Sequence, residues 1–176
     1  PGCCAVEALS DMEALSDMEA LSDMEALSDS IAAIATAWGE AGVAIVRLSG
    51  PDAVPLARTT LRFGPNGFPP PREMRLASLL DDAESPIDQV LVVHFAAPRS
   101  YTGEDVVEIH THGGTLVAQL CLEALIRRGA RLAEPGEFTR RAFLNGRIDL
   151  SQSEGVLGII RSRSAGSALT LRATSL

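Results

Sequence analysis

The alternating stretch at residues 105–112, DVVEIHTH, constrains the fold of this chain more than any other feature. Apolar and polar residues alternate along it, which is the pattern of a half-buried β-strand. Because alternate side chains of a strand share a face, Val107 and Ile109 are expected in the core. The polar residues expected on the opposite face, toward a cleft or solvent, are Glu108, His110 and His112.

The body of the chain mixes strand and helix patterns without a strict βαβ alternation, which predicts an α+β fold. Short apolar runs predict strands, and helical spacing of apolar residues predicts helices. The predicted strands are residues 30–36, 43–50, 73–80, 88–95, 105–112 and a short one in 131–135, and the predicted helices are residues 51–63, 115–130, 136–147 and a region from 151 onward.

The N-terminal segment is a tandem repeat, VEALSD followed by MEALSD three times. Six residues turn a helix by about 600°, so the repeated leucines would spread around the axis instead of forming a stripe. We therefore interpret residues 1–29 as a repetitive leader, disordered or helical, and expect a natural start at Met24. Residues 30–147 are expected to form one domain, and residues 148–176 the start of a helical domain that stops within its pattern.

The net charge of −8 is concentrated in the leader, where residues 6–29 contain eight acidic residues and no basic one. Without these eight, 15 acidic residues balance 15 basic ones, so the body has no bulk attraction for nucleic acid. All the basic residues are arginines, and a Walker A loop within this chain is excluded because it requires lysine.

The three cysteines do not form a disulfide pattern, and Cys121 falls in an apolar helical stretch where we expect it to be packed. No apolar run approaches the roughly 20 residues that cross a membrane. A reducing cytoplasm is therefore the expected compartment.

The polar face of the central strand has more than one chemical interpretation. A carboxylate and two imidazoles at Glu108, His110 and His112 are a possible ligand set for a metal-dependent enzyme, although a solvated strand face has the same pattern. Glu104 and Asp105 follow a turn, where solvated charges are expected.

Two sets of arginines are candidate ligand-binding groups. Arg47 lies inside the apolar strand VAIVRLSG, and a buried guanidinium requires a carboxylate partner or an anionic ligand. Arg140, Arg141 and Arg147 are close together in FTRRAFLNGR, where they could bind carboxylates or form a solvated helix face.

Three separated blocks of the sequence carry a resemblance to a known family. DSIAAIAT…GVAIVRLSGPDA, SYTGEDVVEIHTHGG and EPGEFTRRAFLNGRIDLSQSEGV together resemble the N-terminal part of the MnmE (TrmE) family of tRNA-modification GTPases. The resemblance implies a folate-binding, aminomethyltransferase-like domain that forms a homodimer and binds 5-formyl- or 5,10-methylene-tetrahydrofolate. With its partner MnmG (GidA), the family modifies carbon 5 of the wobble uridine of tRNA.

The resemblance also implies the binding residues. The family's folate contacts fall on Arg47, Glu108 and Arg147; no catalytic or metal-binding residue is carried over. A pterin presents an amino group and a ring N–H, and a carboxylate such as Glu108 can accept hydrogen bonds from both. The carboxylates of the folate tail can pair with arginine. Which arginine meets which end of the folate stays open. The loop AWGEAG departs from the family's PPGRGG-like turn.

The family hydrolyses GTP in a G domain that uses potassium and magnesium. This chain is expected to lack that domain and to be inactive as a GTPase alone. Two alternatives to folate binding stay open: the metal-dependent enzyme described above and a purely structural dimerisation module.

Overall fold

The computed structural model describes residues 28–37, 39, 41–149 and 152. They form a mixed α+β fold of one seven-stranded sheet and three helices. The elements are β1 (Ile31–Ile34), β2 (Val43–Ser49), α1 (Ala53–Thr60), β3 (Leu61–Phe63), β4 (Met74–Leu80), β5 (Pro86–Phe95), β6 (Val106–His112), α2 (Thr115–Arg127), β7 (Arg131–Leu132) and α3 (Glu137–Leu144).

The sheet has the strand order β3-β4-β5-β6-β2-β1-β7. Neighbouring strands are antiparallel, except that β1 and β7 are parallel. The strand pattern of residues 105–112 is confirmed, because β6 lies in the middle of the sheet and pairs with both β2 and β5. The site discussed below is therefore built on the most central part of the fold.

The core lies between one face of the sheet and the helices α1 and α2. Val107 and Ile109 are fully buried, as their parity predicts. Small residues such as Ala57 on α1 and Ala118 on α2 let the helices approach the sheet closely. Cys121 is packed there too, and burial raises the pKa of its thiol to about 12.

The opposite face of the sheet carries the polar residues of β2 and β6 and several exposed aliphatic side chains. Cross-strand pairing aligns Leu76 with Leu91, and Leu91 with His110. The exposed aliphatic residues of these strands, which we call the open-face patch, are Val43, Met74, Leu76 and Leu91.

One element differs from its prediction. The helix predicted over residues 51–63 ends at Thr60, and Leu61–Phe63 forms the edge strand β3. β3 pairs with β4, which lies more than ten residues further along the chain. This long-range pairing overrides the local helical pattern, which single-sequence periodicity cannot foresee.

Of the predicted leader, residues 1–29, only Ser28 and Asp29 are described. The predicted helical region from residue 151 onward lies outside the described residues, apart from Gln152. None of the helices in the described part of the chain is both long and apolar enough to cross a membrane.

Gly113 sits at the turn between β6 and α2, where the loop of residues 41–42 approaches closely. A Cβ atom at Gly113 would lie 1.5 Å from the carbonyl oxygen of Ala41. We expect Gly113→Ala to lower the free energy of unfolding by about 1–3 kcal/mol, because main chain must move to admit the methyl group. Urea unfolding of this variant and of Gly64→Ala, where a Cβ meets open space, checks the prediction; equal stability of the two variants would contradict it.

Candidate functional site

Arg47 and Glu108 form an ion pair across the two central strands. The register of β2 and β6 places them directly opposite each other. Glu108 Oε1 accepts a hydrogen bond from Arg47 Nε at 2.9 Å and lies 2.8 Å from Arg47 Nη2. The side chains are 27% and 16% exposed, so both are largely removed from water but reachable. The expected carboxylate partner of Arg47 is therefore Glu108.

Two aromatic rings flank the Arg47 guanidinium. Its Cζ atom lies 5.3 Å from the ring centre of Tyr101 and 5.6 Å from that of Phe138, within cation–π range. The three side chains line a cleft of about 560 Å³, within the usual range for a small-molecule site. Its other lining residues are Ala33, Ile34, Ala35, Leu122, Leu132, Ala133, Glu134, Pro135, Gly136 and Thr139.

Arg147 lies beside this cleft and is not part of the Arg47–Glu108 ion pair. Its Nε donates to the carbonyl oxygen of Ser100 at 3.1 Å, and its side chain packs against Gly103. Ser100 precedes Tyr101, whose ring faces Arg47. The structure thus brings Arg47 and Glu108 together and connects Arg147 to them through the 100–103 loop.

The histidines of β6 have separate environments. His110 Nε2 is buried, lies 3.7 Å from Glu108 Oε2 and has no hydrogen-bond partner. His112 instead pairs through Nδ1 with Asp88 Oδ1 at 2.6 Å. Within residues 28–37, 39, 41–149 and 152, no three His, Cys, Asp or Glu side chains converge as metal ligands. The metal set of Glu108, His110 and His112 is therefore not assembled.

Arg141 is the centre of a buried ionic network that we call the Arg141 network. It comprises Arg141 with the carboxylates of Asp29, Glu104 and Glu137. Arg141 is only 1% exposed, and its Nη atoms bind Glu104 Oε1 and Glu137 Oε1, each at 3.2 Å. It also binds the carboxylate and the main-chain carbonyl of Asp29.

This network corrects two expectations. Arg141 is not on a solvated helix face, and Glu104 is not a solvated turn residue, because α3 packs its inner face onto the start of β1 and the 102–104 loop. Glu104 Oε2 accepts from Ser49 Oγ at 2.7 Å, and Ser49 Oγ contacts Thr102 Oγ1 at 2.7 Å. Arg141 is thereby paired with carboxylates from its own helix, from the 102–104 loop and from the residue two positions before β1, which offsets the cost of burying its charge.

Two further hydrogen bonds hold the 100–104 loop against α3 and Asn145, the residue that follows it. Asn145 Nδ2 donates to Thr102 O at 2.8 Å, and Tyr101 Oη contacts Thr139 Oγ1 at 3.0 Å. The loop carries Tyr101 and the helix carries Phe138, so these contacts fix the two rings that flank Arg47.

Two carboxylates of the Arg141 network, Asp29 and Glu137, have lowered pKa values. Burial alone would raise the pKa of Asp29, but hydrogen bonds from Arg131 and Arg141 outweigh it and lower that pKa below its ordinary value of 3.8. The pKa of Glu137 is likewise lowered from 4.5, because hydrogen bonds from Arg131, the Glu134 main chain and Arg141 outweigh burial.

A lowered folded-state pKa stabilises the fold above the unfolded-state pKa, and this stabilisation is lost as pH falls through the folded-state value. We therefore expect the free energy of unfolding to decline once the pH falls below about 4.5. Urea unfolding at a series of pH values checks this; a free energy of unfolding that stays constant down to about pH 3 would contradict it.

The sequence analysis missed Tyr101 and Phe138 as parts of the site. The signal available was compositional: aromatics make up only 4% of the chain, and these two lie in blocks that also contain Glu108 and Arg147. The Arg141 network was not predicted either. The only sign of it in a short stretch of sequence is the i, i+4 spacing of Glu137 and Arg141, which puts them on one helix face.

Comparison with known proteins agrees with this geometry. The family model described as "GTP-binding protein TrmE N-terminus" matches residues 30–147. The "tRNA modification GTPase MnmE" of a Nitratiruptor species is 47% identical over 142 residues, covering 81% of this chain and 31% of that protein. The protein of the same name from Geobacter sulfurreducens is 53% identical over 135 residues, covering 76% of this chain and 30% of that protein.

This chain thus spans about a third of the length of the curated relatives that it matches. The family match covers most of the chain and includes every residue of the cleft and of β6. The chain therefore belongs to the TrmE N-terminus family, together with the tRNA modification GTPases named MnmE.

Proposed function

We propose that this domain binds a reduced folate, 5-formyl- or 5,10-methylene-tetrahydrofolate, in the cleft beside Arg47 and Glu108. The observation that supports this most is the ion pair itself: both side chains are partly accessible, and Arg47, the partner of Glu108, lines a cleft large enough for a folate. Family membership supports the same proposal, since the family's folate contacts fall on Arg47, Glu108 and Arg147.

The chemistry of the cleft fits the two halves of the ligand. Glu108 binds the pterin edge by accepting hydrogen bonds from its amino group and its ring N–H. Each carboxylate oxygen has about two acceptor sites, so Oε1 can keep Arg47 while the ligand is bound. Tyr101 and Phe138 provide apolar walls for aromatic rings. The bound folate would supply the one-carbon unit, and this chain's residues would orient it.

In the full-length protein, we propose that the domain forms a homodimer and acts with MnmG and tRNA. The reaction would be modification of carbon 5 of the wobble uridine. GTP hydrolysis, with its potassium and magnesium, would belong to a G domain outside the matched region. These proposals rest on the family, because this chain spans only about a third of its relatives.

A calorimetric titration of this chain with 5-formyl-tetrahydrofolate tests the proposal. We expect saturable binding of one folate per chain. Absence of binding by a folded, dimeric sample would contradict folate binding.

A purely structural dimerisation module is the second candidate function. The open-face patch favours it, because Val43, Met74, Leu76 and Leu91 are 42–54% exposed on a sheet face that the described helices leave uncovered. Light scattering that finds a stable dimer, combined with no folate binding in the titration, would select this function over the first.

A further inference from the structure

Most arginines in the described part of the chain are paired with a carboxylate, and three of the four exceptions lie close together. In the described part of the chain, most guanidinium groups lie within 4.0 Å of a carboxylate. Arg58 has no such partner but lies over the Phe68 ring at 4.5 Å. The remaining arginines without a carboxylate partner among the described residues are Arg72, Arg99 and Arg147.

These three arginines meet at one short segment of main chain. Arg72 Nη2 donates to Arg99 O at 3.0 Å, and Arg147 Nε donates to Ser100 O at 3.1 Å. The carbonyl oxygens of Arg99 and Ser100 therefore each accept a hydrogen bond from a guanidinium, and Arg99 carries a third guanidinium. Arg72 and Arg99 also line a separate cleft of about 330 Å³ with Pro71, Ala96 and Ala97.

The main chain of Arg72 has a conformation that is unusual for arginine. Arg72 has φ +67°, in the left-handed region that glycine or asparagine adopts more readily. Its N–H donates to His94 O at 2.7 Å, which holds the residue in that conformation. The side chain is thereby directed to Arg99 at a position where backbone conformation alone would favour a smaller residue.

We propose that Arg72, Arg99 and Arg147 form an anion subsite for the glutamyl tail of the folate, which makes the domain selective for polyglutamylated tetrahydrofolates. This rests on the proposed function. Arg147 binds the carbonyl oxygen of Ser100, and the next residue, Tyr101, lines the folate cleft, so a folate tail that leaves the cleft past Tyr101 would meet Arg147 first. Each added glutamate contributes a carboxylate, and three uncompensated guanidiniums can pair with several of them.

The proposal also assigns the two ends of the ligand. Arg47 is already paired with Glu108 at the pterin end, whereas Arg147 belongs to the uncompensated group and meets the tail. A phosphate of RNA is the other anion that arginines bind well. The balanced charge of residues 30–176 provides no wider basic surface for nucleic acid, so the tail is the favoured occupant.

The test compares 5-formyl-tetrahydrofolate carrying one glutamate with the same folate carrying three γ-linked glutamates, titrated into the wild-type chain. We expect the triglutamate to bind about tenfold more tightly in low salt. The double variant Arg72→Ala/Arg99→Ala should bind the triglutamate no more tightly than it binds the monoglutamate. The double lysine variant should retain part of the preference, and Arg62→Ala, an exposed arginine paired with Glu84, should retain all of it.

Each outcome has a distinct meaning. Wild-type chain that binds both folates equally would overturn the tail subsite and leave folate binding intact. Wild-type chain that binds neither folate would overturn the proposed function and the subsite with it. A double alanine variant that keeps the triglutamate preference would also overturn the tail assignment.

Discussion

Replacing Glu108 by glutamine is expected to weaken binding of 5-formyl-tetrahydrofolate by about 30- to 150-fold, equivalent to roughly 2–3 kcal/mol. Glutamine keeps the shape and can still accept a hydrogen bond from Arg47. It loses the negative charge and presents an amide NH₂ where the pterin also presents donors. The variant is therefore expected to lose affinity for folate and to keep its fold. Calorimetric titration of the wild-type chain and the variant measures it.

Asp88→Asn is the matched control for this prediction. Asp88 is also a largely buried carboxylate, 12% exposed, and it lies on β5, next to β6. It pairs with His112, whereas Glu108 pairs with Arg47, which lines the cleft. Replacement of Asp88 should change folate affinity by no more than about twofold. Equal losses in the two variants would show that the effect of Glu108→Gln is structural.

Replacing Arg141 by methionine is expected to lower the free energy of unfolding by about 3–5 kcal/mol. Methionine fills similar space but leaves the carboxylates of Asp29, Glu104 and Glu137 without their shared partner. Domains of this size are stable by only about 5–15 kcal/mol, so the variant should be marginal at room temperature. Urea unfolding at neutral pH measures the change.

Arg140→Met is the control, because Arg140 is the next residue on the same helix and is 46% exposed. Its nearest carboxylate contact is Glu137 at 4.0 Å, and the expected change is within about 0.5 kcal/mol. A loss of less than about 1 kcal/mol in Arg141→Met would contradict the role given to the Arg141 network.

The sequence predicted the parts of the fold that depend on local pattern. The parity of residues 105–112 is confirmed, and so is the strand VAIVRLSG, because burial of one sheet face imposes alternation on each strand. β3 was wrongly predicted as helix because its strand state depends on pairing with β4, which no local window contains.

The candidate site was predictable only where it depends on a single pair of strands. A buried Arg47 requires a charged partner, and Glu108 was predicted on the polar face of β6. The pairing of β2 with β6 brings the two residues together. The Arg141 network joins Asp29 to residues more than 70 positions away, so only the folded chain reveals it. Its members look like ordinary surface charges in sequence.

A crystal structure of the chain with 5-formyl-tetrahydrofolate tests the central proposal most directly. We expect the amino edge of the pterin within about 3 Å of the Glu108 carboxylate, between Tyr101 and Phe138, with the glutamyl tail directed toward Arg147. Folate bound elsewhere on the domain, with none beside Arg47 and Glu108, would contradict the proposed site.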